Sequence, residues 1–376
     1  SLGSAMTNYA LVIWSYQQYH SALITALIAI CSYAPYVIMS IFAGALSDRW
    51  NKKITMLVCD SFAAGCTICI LLLLQTGELR IWHIYLLNAC NGLMNTIQQP
   101  SADVTISLLT PKKYYQKVSG MRSLSNSLTT VLTPVLATAL LSFLGMKAVI
   151  LFDLFTFGIA FLCLLFFIQI PEIKIKDAVK ESLVQSTKAG LNYLKENRGI
   201  LDLILFLAAI NLIASMYNAA FPAMILSRSN GGEVGLGIVN ATVGIAILVG
   251  SVIVSILPSP KSRVRVICNA LLFSMSTENF FLAFGRTIPL WSIGAALGWI
   301  FIPIMGANMD VLFRNHIPVE MQGRVFSARN TLQFFTIPIG YFLGGYLVDK
   351  VFEPLMKREN LSILKILFGE GKGSGA

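Results

Sequence analysis

Apolar runs of about 20 residues recur along this chain, each long enough to cross a hydrocarbon layer roughly 30 Å thick. A backbone in lipid has no water to bond, so a spanning segment must satisfy its own N–H and C=O groups, as a helix does. The runs are continuous rather than alternating, which excludes the strand pattern of a membrane barrel. Only 12% of the 376 residues are charged, against about a quarter in a soluble domain. The expected fold class is therefore an all-α polytopic membrane protein.

Spans are expected at 22–46, 54–75, 82–109, 117–142, 147–169, 200–225, 235–257, 266–284, 288–312 and 325–349. Residues 1–16 are apolar but short, and read as the second half of a first helix whose beginning is absent. Leu361–Phe368 is too short to span and precedes a Gly-rich tail. The expected layout is eleven visible spans of twelve, the first incomplete and the last missing.

Placing the loop at 44–53 in the cytoplasm fixes every other loop by alternation. Of the 28 Lys and Arg, 19 then face the cytoplasm, as the positive-inside rule requires. That asymmetry accounts for the net charge of +10 without a nucleic-acid partner. Pro171–Gly199 departs from the membrane pattern with ten charges, and Val179, Leu183, Leu191 and Leu194 fall at helical spacing. It reads as a cytoplasmic linker with an amphipathic helix, lying on the bilayer surface or on the protein. The expected organisation is a helix bundle over 1–169, the linker over 170–199 and a second bundle over 200–376.

The two halves repeat. A shift of 207 residues carries Asp103-Val104 onto Asp310-Val311, Pro111 onto Pro318, Val118 onto Val325 and Arg122 onto Arg329. All five identities sit at cytoplasmic span ends in the same loop of each half. Parallel repeats of this size are one way to build a transporter with a central site, although channels and membrane enzymes also carry repeats.

Gly44, Leu46, Asp48, Arg49, Lys52 and Lys53 follow a pattern of Gly-x-Leu-x-Asp-Arg-x-Gly-Arg/Lys-Lys, with Asn51 in place of the second glycine. This resembles the loop between helices two and three of the major facilitator superfamily. Asn also tolerates a left-handed backbone, so the turn survives the exchange. Val319–Ser327 resembles the loop between helices ten and eleven of the macrolide-efflux-type branch. The resemblance covers essentially the whole chain and implies two six-helix halves in parallel repeat. Two departures are plain. Thr133–Thr138 keeps only the proline of the Gly-Pro-x-x-Gly-Gly drug-exporter motif, and Pro258–Arg265 keeps bases but lacks the acid.

The resemblance assigns the 44–53 loop to conformational gating, with Gly44, Asp48 and Arg49 as its members. Arg122 and Arg329 join them one turn inside the following helices, with Asp103 and Asp310 as candidate partners. Lys52 and Lys53 read as topology anchors.

Asn88, Asn91, Asn95 and Gln99 fall at i, i+3, i+7 and i+11, on one side of a helix. Four amides facing lipid would be costly, so that face must meet protein or water. In the superfamily, helices one, four, seven and ten line the central cavity. The corresponding polar residues here are Ser4, Thr7 and Asn8; the amide stripe; Asn211, Ser215 and Asn218 beside Tyr217; and Trp299 with Asn308. They describe a neutral, amide-rich, aromatic-edged cavity, or hydrogen bonds that join the bundle.

Asp60, Asp153 and Glu278 are acids within spans, and Glu278 lies deepest, roughly 20 Å from the cytoplasmic end of its helix. Glu278 and Asp60 are candidates for proton coupling; pairing within the bundle is the alternative for each. The seven cysteines all fall in apolar runs and read as packing thiols. His20, His83 and His316 are too scattered for a metal site, and no Gly-x-x-x-x-Gly-Lys-Ser/Thr loop is present.

Together these features describe a secondary transporter of the plasma membrane of a bacterium, not an enzyme and without a cofactor. It would act as a monomer, exporting amphipathic small molecules such as macrolide-like drugs by alternating access driven by the proton gradient. Movement of another metabolite or lipid-like compound, or a receptor or channel on the same scaffold, are the alternatives.

Overall fold

The computed structural model describes the backbone at 2–49, 51–111, 114–170, 183–258, 260–357, 365, 367–368 and 373–376. Side chains within helices at 40–49, 100, 103–104, 107–108, 115–117, 119–120, 122–124, 183–189, 314, 319–324 and 326–327 fall outside that description. Among the described residues all regular structure is helical.

The first half runs α1 (Leu2–Tyr19), α2 (Ala22–Arg49), α3 (Lys52–Thr76), α4 (Ile81–Leu109), α5 (Tyr115–Leu144) and α6 (Met146–Leu162). α6 continues as a π-helical turn, Cys163–Phe167. After α7 (Leu183–Glu196) come α8 (Arg198–Ser227), α9 (Gly232–Ile256) and α10 (Arg263–Phe284). The chain then forms α11 (Ile288–Trp299), α12 (Ile302–His316), α13 (Val319–Phe334), α14 (Thr336–Tyr346), a π-helical segment Leu347–Phe352 and α15 (Glu353–Met356).

Among the described residues nine segments are long and apolar enough to cross a membrane. Neither α1 nor α4 is one of them, because hydroxyls and amides lower their hydropathy. Two of the nine segments, Ile288–Phe313 and Ala328–Met356, answer to expected single spans but carry an interruption of the regular helix. The 288–312 span divides at Ile300–Phe301, and the 325–349 span divides at Phe335. Prolines explain both positions. Pro303 and Pro338 lack an N–H, and their rings crowd the carbonyls of Trp299 and Phe334, the last residues of α11 and α13.

Small residues set the closest helix contacts. A Cβ on Gly92 of α4 would collide with the Ser32 carbonyl oxygen of α2. The two halves meet along α2–α14 and α5–α9. On the second seam, Gly237 faces Thr138 and Gly244 faces Val131. The first half packs around Met6, Leu11, Ile70, Ile84 and Ile150.

Leu194 of α7 is fully buried among Ile204, Phe313, Ile317 and Val325, and the Tyr193 hydroxyl donates to the His316 carbonyl at 3.2 Å. The linker helix thus lies on the second half of the protein, through Leu194; Leu191 stays exposed. The Leu183 side chain and the whole of Val179 are outside the described residues. Leu194→Ala is expected to cost about 2–5 kcal/mol, as for other fully buried leucines. Thermal unfolding in detergent checks it: an unchanged midpoint would place this face of α7 against lipid instead.

Candidate functional site

The basic loops mark one end of the bundle as cytoplasmic, and contacts between halves begin at the opposite, outer end. There Ile13 of α1 packs on Phe221, Met224 and Ile225 of α8 and Leu236 of α9. Gln17 donates to Glu233 in the first turn of α9, and Ser142 of α5 lies 3.5 Å from the same carboxylate. Asp349 accepts hydrogen bonds from the start of α2. Deeper, Tyr33 stacks on Tyr341 with centroids 6.4 Å apart, and Tyr36 meets Phe334 edge-on at 5.6 Å.

Below the Ile13 layer stands an aromatic ring drawn from both halves. Tyr9, Tyr217 and Trp299 are each half-buried at its edge. Asn240 of α9 donates to the Tyr9 hydroxyl at 3.5 Å. Glu278 fixes the other two. Its Oε1 accepts the Tyr217 hydroxyl at 2.8 Å and the Trp299 indole N–H at 2.8 Å, while the residue is only 8% exposed. Gly298 makes room for the acid, since a Cβ there would stand 2.7 Å from Glu278 Oε2. The carboxylate from α10 thus reaches between α8 and α11 and holds two aromatic side chains by their polar ends.

The other intramembrane acids are tied within the first half. Asp153 of α6 accepts from Ser4 at 3.1 Å, Thr7 at 3.0 Å and Thr67 at 3.5 Å. The hydroxyls of α1 therefore serve the α1–α3–α6 junction, and Asn8 beside them is exposed. Asp60 of α3 accepts from Gln98 of α4 at 2.7 Å.

The amide stripe of α4 grades from inside to outside. Asn88 is buried and donates to its own helix at Ile84, 3.0 Å away. Asn91 Oδ1 is buried with no hydrogen-bond partner among the described residues. Asn95 and Gln99, nearer the cytoplasmic end, are exposed. In the second half the polar residues divide. Asn218 is exposed, but Asn211 donates to the Gln333 carbonyl at 3.5 Å and Ser215 packs on Gly340. Asn308 is buried and accepts from Arg263 at 3.0 Å, so it joins α12 to α10.

Of the gating residues, Gly44, Asp48 and Arg49 lie on the helical backbone of α2 and Arg122 on that of α5; their side chains are outside the described residues. Asp103 is likewise outside them. Arg329 bonds to Asn330 Oδ1 at 3.1 Å and its guanidinium sits 5.2 Å from the Phe313 ring centre; Asp310 is exposed. Lys53 donates to the Leu165 and Ile168 carbonyls at 2.9 and 2.8 Å, closing the C-terminal end of the α6 segment. The described residues contain no group of three or more His, Cys, Asp or Glu able to hold a metal.

A family model of the Major Facilitator Superfamily matches residues 1–341. The chain belongs to this superfamily. It is a multi-pass bacterial membrane protein and a transporter of small molecules. Macrolide efflux protein A of Streptococcus pyogenes is 22% identical over 356 residues, covering 93% of this chain and 86% of the relative. The protein of the same name from Enterococcus faecalis is 23% identical over 320 residues, 83% of this chain and 97% of the relative. Among solved structures, a bacterial homolog of the human lysosomal transporter Spinster, inward-facing and unoccupied, matches with a TM-score of 0.67. That match is 15% identical and covers 98% of this chain and 85% of the other.

Sequence reasoning singled out Glu278, Tyr217 and Trp299 separately but not their union. It missed Tyr9 with Asn240, and the outer acids Glu233 and Asp349. Glu233 stands in the first turn of α9 and Asp349 in the π-helical segment near the outer end of its span, where charge looks ordinary in sequence. No spacing rule links either to a partner more than 200 residues away.

Proposed function

We propose that this chain is a secondary active exporter of amphipathic small molecules, macrolide-like compounds among them, working by alternating access and coupled to the proton gradient. The observation that carries the reading is Glu278, a buried carboxylate of the second half holding Tyr217 and Trp299, whose rings pack on the cluster that also contains Ile13 and Tyr9 of the first half. A group that exchanges a proton here changes the hold on two aromatic side chains that edge the ring. Proton binding and substrate binding are thereby coupled through shared contacts. Support for an amphipathic cargo comes from the chain carrying both that aromatic set and the exposed amides Asn95 and Gln99. Support for export comes from the relatives named for macrolide efflux.

A susceptibility panel tests the cargo. Cells expressing the chain should tolerate several-fold more macrolide than cells with the empty vector and should accumulate less labelled drug. Equal susceptibility and equal accumulation across macrolides and other amphipathic drugs would remove the efflux assignment.

A further inference from the structure

The N-terminal turn of α2 is capped from the other half of the molecule. Ser21 is its own N-cap, accepting from the Ile24 amide at 3.1 Å. The next two amides point elsewhere. Ala22 N donates to Asp349 Oδ1 at 3.0 Å and Leu23 N to Asp349 Oδ2 at 3.0 Å. The Ser21 hydroxyl completes the set, donating to Asp349 Oδ2 at 2.5 Å. The first turn of a helix leaves such donors without partners in its own backbone, and its positive dipole end favours a carboxylate.

Two local features place the acid there. Gly345, one turn before Asp349, lets α14 approach so closely that a Cβ would stand 2.6 Å from the Leu23 Cα. The π-helical segment Leu347–Phe352 then carries Asp349 against α2. On the other side of the joint, His20 takes a left-handed conformation with φ 47°, turning α1 into α2 within two residues.

We propose that Asp349 is the outer latch of the transport cycle: its carboxylate, clasping the start of α2, holds the outer side shut and must release for that side to open. This rests on the alternating-access reading above. It goes beyond that reading in naming the contact that sets the balance between the closed and open outer face. The latch joins α2 to the α14 segment, one of the two seams between halves, so it breaks when that seam parts at its outer end. Charge-assisted bonds to three donors favour the closed state, and loss of the charge removes that preference.

The test places a reporter in the sealed layer. Ile13 is fully buried between the halves. Ile13→Cys is labelled in intact cells by a membrane-impermeant maleimide, with position 13 read by peptide mass spectrometry so that the native cysteines stay in place. Adding Asp349→Asn should raise the labelling rate about tenfold or more, because hydrogen bonds to a charged acceptor are among the stronger ones. A rate within twofold of the parent overturns the latch. If Asp349→Asn inserts poorly, Ser21→Ala carries the test, and about a threefold rise is expected from removing one donor and its own cap on Ile24. No rise there overturns the proposal equally. A separate arm addresses the underlying reading, because drug plus an imposed proton gradient should change labelling in the parent. A parent that does not respond, beside an Asp349→Asn variant that labels fast, leaves the latch standing and removes coupled rocking. A responsive parent with an unchanged variant does the reverse.

Discussion

Glu278→Gln should leave the protein folded in the membrane and cut proton-driven export by on the order of tenfold or more, equivalent to at least about 1.4 kcal/mol. The amide keeps an oxygen where Oε1 accepts from Tyr217 and Trp299, so the ring geometry survives. What it loses is the ability to carry a proton. Exchange of labelled for unlabelled drug, which needs no net proton movement, should persist in proteoliposomes while the response to an imposed pH gradient disappears. Glu278→Ala separates the structural contribution, because it strands a buried hydroxyl and an indole N–H, at a cost of about 1–3 kcal/mol each. That variant should lose thermal stability as well as transport. An unaltered response to the pH gradient in Glu278→Gln would take this residue out of coupling and leave it as a clamp on two aromatic rings.

Gly92→Val should have the largest effect on folding. The added carbon meets the Ser32 carbonyl oxygen, a backbone atom with no rotamer to escape into. Over-packing in a core costs about 1–3 kcal/mol when side chains can adjust. Here α2 and α4 themselves must move apart, so the cost should reach or pass the top of that range. Gly65→Val is the matched control, because nothing lies within 4 Å of a Cβ at that position. The expected result is a sharp loss of monodisperse protein in detergent for Gly92→Val and little change for Gly65→Val. Equal behaviour of the two would contradict the close α2–α4 crossing. Tight approach through small residues is how helices associate in lipid, where apolar burial gives no drive.

Much of this architecture is written in the chain at the level of spans. Length, hydropathy and the bias of Lys and Arg locate the helices and orient them, because the bilayer imposes those terms on every segment separately. The breaks after Trp299 and Phe334 were present as Pro303 and Pro338, but a proline inside an apolar run can also be absorbed, as Pro35, Pro134 and Pro222 are within α2, α5 and α8. The site is less legible. Asn211, Ser215 and Asn308 share the helical spacing of a cavity face, yet they bond or pack against α13, α14 and α10. Periodicity says that polar residues share a side and not what that side meets. For Ser215 the missing information was Gly340, 125 positions away, whose bare backbone admits the neighbouring helix. Asp153 shows the same limit: its three hydroxyl partners lie on α1 and α3.

The Ile13 layer also bears on how such a protein could be blocked. It stands between the ring of Tyr9, Tyr217 and Trp299 and the outside medium, so on the proposed alternating-access cycle a compound aimed at that ring while the layer is sealed would arrive from the inner side. An inhibitor taking that route must enter the cell before it can act, and its potency on intact cells should trail its potency on inside-out vesicles. The gap between the two measures permeability rather than fit. Chemistry tuned only for affinity to the aromatic ring would leave that gap unchanged.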